Sequence, residues 1–243
     1  MVQVCIDKLI PGKEPTKYTK SGTSADVMRS AASARMALIR EKMWDVGATI
    51  RVRFMEGQLD VQQKVKKYAL SWMEYANVNL VFVPKGDAEI RIGFKMGDGS
   101  WSYIGRDALD IPKNQPTMNY GWLKSNTPDD EYSRVVIHEF GHALGAIHEH
   151  QNPAGNIPWD KEAVYKYYMG PPNNWSKKDV DHNLFARYSK TITNFTKFDS
   201  KSIMLYPIPA EFTTNHVAIG ARNTTPSQLD KKFMSEQYPR IKT

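Results

Sequence analysis

His138-Glu139-Phe140-Gly141-His142-Ala143-Leu144-Gly145-Ala146-Ile147-His148 places three histidines, one glutamate and one glycine at defined intervals within eleven residues. His138 and His142 are four apart, so on a helix their imidazoles leave the same face. Two imidazoles one turn apart suit tetrahedral zinc, with Zn–N distances of roughly 2.0–2.1 Å. Glu139 sits beside that face, placed to take a proton from a metal-bound water rather than to ligate. Gly145 lets the chain leave the helix sharply, and His148 can then swing back as a third ligand. Three neutral nitrogens leave a fourth position for water, which marks a catalytic rather than a structural zinc site.

The flanking sequence supplies the helix. Thr127 can cap it, Pro128 suits its first position, and Asp129 and Asp130 favour the positive helix end. It is expected to run to Leu144 and stop at Gly145. Upstream, Ile50, Val52 and Phe54 alternate with Arg51 and Arg53, as in a half-buried strand. Asp60 can cap a following helix with the apolar stripe Val61, Val65, Tyr68, Ala69, Trp72 and Ala76. Val78–Val83, Ala88–Phe94, Trp101–Gly105 and Thr117–Trp122 read as four more strands, separated by Pro84-Lys85-Gly86 and Gly97-Asp98-Gly99. The pattern predicts an α+β fold: a mixed, twisted five-stranded sheet with a backing helix and an active-site helix. A smaller, mostly helical C-terminal subdomain follows, packed by Trp159, Tyr165, Tyr167, Tyr168 and Trp175. Its last helix is expected to start at Thr225-Pro226 and run through Leu229 and Phe233 to Tyr238.

Three segments are expected: a polar arm over 1–45, a subdomain over 46–145 and a C-terminal subdomain over 146–243. The arm is broken by Pro11, Gly12, Pro15 and Gly22, and a helical patch is predicted over Ala25–Met43. The 243 residues are 41% hydrophobic and 24% charged, in the ordinary range for a globular chain. No apolar run approaches the roughly 20 residues of a membrane helix, so no membrane partner is expected. The first ten residues lack a signal peptide's pattern. The expectation is that a leader has been removed or that the protein is not exported by that route, with secretion or delivery as an effector favoured. The single cysteine, Cys5, excludes an intramolecular disulfide. The net charge of +7 sits at the ends: residues 1–56 carry 10 basic and 6 acidic side chains, 231–243 carry 4 and 1, and the middle carries 19 of each. A nucleic-acid surface concentrates its basic charge on a working face, so no nucleic-acid partner is expected.

The eleven-residue pattern, with Ser202-Ile203-Met204-Leu205-Tyr206 further on, resembles the signature of the metzincin zinc peptidases. Glu149 directly after the third histidine is similar to the astacin branch, and the resemblance runs over roughly 48–240. The single cysteine places it nearest compact bacterial or fungal members without disulfides. The chain departs from the astacin pattern at His150-Gln151-Asn152-Pro153, where an arginine- and aspartate-rich segment is usual, and at Leu205, where histidine is usual. The resemblance implies that His138, His142 and His148 bind one catalytic zinc ion over an apolar floor made by the turn at Met204. It implies that Tyr206 approaches the zinc and helps bind the transition state, and that a peptide lies extended along an edge strand. Trp101–Gly105 is the candidate edge.

The activity so implied is endopeptidase hydrolysis. Zinc lowers the pKa of bound water, Glu139 accepts the proton as general base and returns it to the leaving amine, and zinc with Tyr206 stabilises the oxyanion. A monomer is expected. Related enzymes are kept latent by an N-terminal segment that puts a cysteine or aspartate on the metal, which makes Cys5 a possible latency ligand, with Asp7 as a substitute. His150 reads as a neighbour of the site or a solvent-exposed residue, and His182 and His216 as surface residues. Two other readings stand beside this one: a catalytically silent peptide-binding protein on the same fold, and a basic nucleic-acid-binding adaptor.

Overall fold

A computed structural model describes Cys5, Lys8 and residues 37–171, 173–188, 193–195 and 197–240. The elements are β1 (Leu38–Ile39), β2 (Thr49–Phe54), α1 (Leu59–Ala69), β3 (Asn79–Phe82), β4 (Ile90–Gly93), β5 (Ser100–Ser102) and β6 (Met118–Tyr120). They continue with α2 (Asp129–Ala143), α3 (Lys161–Met169), α4 (Lys177–Val180), β7 (Thr193–Asn194) and α5 (Gln228–Gln237). No helix among the described residues is long and apolar enough to cross a membrane.

The main sheet has five strands in the order β3-β2-β4-β6-β5. β3, β2, β4 and β6 are mutually parallel, while β5 runs antiparallel to β6 and forms an edge. Alternation explains the faces. Ile50 and Val52 turn into the core, while exposed Arg51 pairs with Glu89 at 2.5 Å. Buried Ile90, Ile92, Met118 and Tyr120 continue the same apolar surface. α1 covers it with Val61, Val65 and Ala69, and a 3-10 continuation over Leu70–Glu74 adds Trp72. The Trp72 indole donates to the Ile137 carbonyl at 2.8 Å and ties this helix to α2. Lys64 pairs with Asp129 at 3.2 Å across the same interface.

Four of the five strands are shorter than their sequence patterns, and β2 keeps its full length. Trp101–Gly105 contracts to Ser100–Ser102, because Gly105 takes φ +51 and opens a 3-10 turn over Gly105–Asp110. Both helix starts shift. α1 begins at Leu59, with Asp60 in its first turn rather than at its cap. Pro128 is the N-cap of α2, because the Thr127 hydroxyl accepts from the Lys124 N–H and closes the preceding turn. α5 starts after Ser227, which forms a capping box with Asp230.

Of the helical patch predicted over Ala25–Met43, the part before Ala37 lies outside the described residues. The rest is not helical: Leu38–Ile39 is a strand and Arg40–Lys42 a 3-10 turn. Pairing overrides helix propensity here. β1 pairs antiparallel with β7, the Ile39 N–H donates to Gly145, and Ile147 donates to Ala37. Leu38, Ile39 and Trp44 are buried, so the segment expected to belong to a polar arm is built into the core from Ala37 onward. The C-terminal half is irregular chain carrying α3, α4 and α5, and Tyr168, Trp159, Tyr165 and Trp175 pack together there with Leu205 and Phe212.

Candidate metal centre

α2 gives the site its rigid wall. Val135, Val136, Phe140 and Ala143 anchor the helix in the main core, and His138, Glu139 and His142 are buried with them. The helix ends as the glycine requires. Gly145 takes φ +101, its N–H donates to the His142 carbonyl, and the Ala146 N–H donates to Gly141. This is the paired closure of a glycine-terminated helix, and it aims the chain so that His148 returns toward the helix.

The three Nε2 atoms converge: His142 Nε2 lies 3.1 Å from those of both His138 and His148. Tetrahedral ligands about 2.05 Å from zinc would be about 3.3 Å apart. The other ring nitrogens settle the protons. His138 Nδ1 faces the Ile203 carbonyl and His142 Nδ1 the Ala146 carbonyl, each at 2.8 Å. A carbonyl only accepts, so Nδ1 carries the proton in both and Nε2 presents a lone pair to the common point. Burial and the neighbouring imidazoles hold His138 well below the usual histidine range, hence neutral. Inward-facing Nε2 atoms that close suit a cation between them, and zinc fits this donor set.

Met204 lies under α2. A Cβ on Gly141 would stand 2.5 Å from the Met204 sulfur, so the close approach of turn and helix depends on glycine. The Tyr206 hydroxyl lies against His148 Nε2 and donates to the Cys5 carbonyl. Cys5 is 1% exposed, and its backbone bridges Ser100 in parallel, outside the β5 edge. Its sulfur lies within 4.8 Å of ligand atoms of His138 and Glu139, so the thiol faces the Glu139 carboxylate. Burial first, and then Glu139, push that thiol up. Lys8 stands 4.6 Å over the Trp101 ring, further along the same edge.

All seven residues singled out in the sequence therefore meet at one place. His150 is buried rather than exposed: its ring stacks on His148 at 5.1 Å, and its Nε2 faces the Asn183 carbonyl at 2.7 Å. His182 is half-buried and His216 exposed.

Sequence reasoning missed the support of the turn. Asp230 Oδ2 accepts from the Ile203 N–H and Oδ1 from the Ser202 hydroxyl, each at 2.8 Å. The Ser227 hydroxyl donates to Asp199 at 2.7 Å, the Asp199 N–H to Glu149 at 2.8 Å, and the Glu149 N–H to the Met204 carbonyl at 2.9 Å. Burial raises Glu149 to about 8 and Asp230 to about 6. The spacing Ser227-x-x-Asp230 was the available signal for the helix cap, but nothing local pointed to Ile203.

The family model for Astacin, a peptidase family, matches residues 37–238. The zinc metalloproteinase dpy-31 of Caenorhabditis elegans is 25% identical over 205 residues, covering 81% of this chain and 32% of that protein. The chain thus spans about a third of the length of that curated relative. The structure of myroilysin superposes with a TM-score of 0.82 at 52% identity, covering 84% of this chain and 98% of that one. High choriolytic enzyme 1, a hatching enzyme zinc-protease from Oryzias latipes, superposes with a TM-score of 0.51 at 18% identity, covering 88% and 98%, and shares the fold.

Proposed function

We propose, from the premise that this chain belongs to the astacin family of peptidases, that it is a zinc-dependent endopeptidase. The observation that carries this reading is the convergence of three imidazole Nε2 atoms beside a buried carboxylate, Glu139.

His138, His142 and His148 are the ligands in this reading. Zinc, when bound there, supplies Lewis acidity and an acidified water. Glu139 accepts the proton of the attacking water and returns it to the leaving amine. The Tyr206 hydroxyl donates to the carbonyl oxygen as negative charge develops on it. The carbonyls of Ile203 and Ala146 orient the two helix imidazoles, and Met204 floors the site. The substrate is a protein or peptide that extends the sheet at β5, where main-chain hydrogen bonds supply affinity.

Cys5 occupies that edge and covers Glu139 and Tyr206. A thiolate is a good zinc ligand at about 2.3 Å, and in this reading that side chain is the anchor that keeps the arm on the edge a peptide must take. The full chain is therefore latent in this reading, and displacement of the arm activates it. The arm ends before Ala37, since residues 37–44 are part of the packed domain.

The test incubates a peptide library with zinc-loaded full chain and with Cys5→Ala. Alanine can neither ligate nor donate. Cys5→Ala should cleave, the native chain should cleave far less, and a chelator should abolish cleavage until zinc is restored. Equal cleavage by both proteins removes the latency reading. Chelator-insensitive cleavage, or none by either protein, removes the zinc endopeptidase reading.

A further inference from the structure

Tyr120 stands apart from the other large buried tyrosines. Tyr132 donates to the Lys124 carbonyl at 3.0 Å and Tyr238 to the Leu144 carbonyl at 2.7 Å. Tyr120 is 0% exposed, and its hydroxyl has no hydrogen-bond partner among the described residues. A buried hydroxyl without a partner carries a desolvation penalty that phenylalanine would avoid in the same space.

Its position suggests what the partner is. Tyr120 lies on β6 directly opposite Ser100 of β5, and Ser100 is also the residue that Cys5 bridges. Its ring packs 6.0 Å from Phe94, on the core side of the sheet that faces α2. Burial first, and then the neighbouring Glu139 and Cys5, push the Tyr120 phenol up. In the structure described, the Cys5 sulfur lies within 4.8 Å of a Glu139 carboxylate oxygen, and the thiol is the donor that faces it. When Cys5 leaves, Glu139 loses that donor inside a buried site. A carboxylate is a strong, charge-assisted acceptor, and the nearby hydroxyl is a donor in need of one. Burial keeps that phenol protonated.

We propose that Tyr120 is a positioning residue for Glu139: once Cys5 is displaced, its hydroxyl donates to the Glu139 carboxylate and holds it in the orientation that proton transfer needs. This rests on the assignment of Glu139 as general base and of Cys5 as its cover. Tyr120 and Tyr206 then divide the work. Tyr206 addresses the substrate oxygen, while Tyr120 fixes the group that moves the proton.

The test is a thermal and kinetic cycle on four zinc-loaded full-length proteins: native, Tyr120→Phe, Cys5→Ala and the double variant. In the native background Tyr120→Phe should raise the Tm, because it deletes an unpartnered hydroxyl. In the Cys5→Ala background it should lower the Tm, because it deletes a made hydrogen bond. Peptide cleavage by the double variant should show kcat about tenfold below Cys5→Ala with KM unchanged. Tm shifts of the same sign in both backgrounds, or an unchanged kcat, overturn the proposal. If Cys5→Ala cleaves no peptide, the endopeptidase reading fails, and the sign of the two Tm shifts still decides for Tyr120.

Discussion

The two halves of the chain hold the same site by different means. Residues up to Ala143 contribute His138, Glu139 and His142 from one helix, clamped by an apolar core of α1, Trp72 and the sheet. Residues after Gly145 contribute His148, Met204 and Tyr206 from irregular chain, held by the hydrogen bonds of Glu149, Asp199, Ser202 and Asp230. Apolar packing fixes a rigid element as a body. A polar network fixes individual backbone atoms, which a turn without regular structure needs.

This contrast ranks the expected effects of substitution. The largest belongs to the rigid half. His142→Ala removes a ligand whose neighbours cannot move to replace it, so metal analysis should find zinc strongly reduced and cleavage should be lost. Unchanged stoichiometry would mean that the helix does not bind the metal. Tyr206→Phe, in the irregular half and in the Cys5→Ala background, should lower kcat by about 10²-fold with little change in KM. Kinetics showing full activity would confine Tyr206 to packing.

Gly141→Ala tests the joint between the halves. Its Cβ would stand 2.5 Å from the Met204 sulfur, so overpacking should destabilise the protein by about 1–3 kcal/mol. A denaturant midpoint matching wild type would show that the turn yields freely. The smallest effect is a slope. Asp230 is raised from 3.8 to about 6 by burial, against hydrogen bonds from Ile203, Ser227 and Ser202 that lower it and beside Asp199, which raises it. A folded-state value above the unfolded one means the group's stabilisation is complete below about pH 4 and is lost as pH rises through about 6. The Tm of wild type should therefore fall relative to Asp230→Asn across that window. Parallel Tm curves would assign the proton elsewhere.

The halves also differ in how far the sequence discloses them. The spacing of His138, His142, Gly145 and His148 is local, and so is the alternation of Ile50, Val52, Ile90 and Ile92. Periodicity therefore led to the helix, the five strands and the ligand set. The partners that orient the turn are 28 residues apart at Ser202 and Asp230 and 50 apart at Glu149 and Asp199. No local pattern encodes such a pair. Residues 37–39 misled for the same reason. Their alanine- and methionine-rich surroundings favour a helix, but pairing with Thr193–Asn194 and the chain after Gly145 makes them a strand. Tyr120 reads as one more apolar strand residue until its hydroxyl is seen to lack a partner among the described residues.

The central claim is that neighbouring residues on one helix divide their labour, with His138 and His142 holding zinc and Glu139 moving the proton. Glu139→Gln in the Cys5→Ala background tests this most directly, because it preserves shape and removes the base. Zinc content and peptide turnover are measured on the same sample. The account predicts one zinc per chain with turnover reduced by about 10²–10⁴-fold. A zinc-replete Glu139→Gln protein that cleaves peptides at an undiminished rate would contradict it.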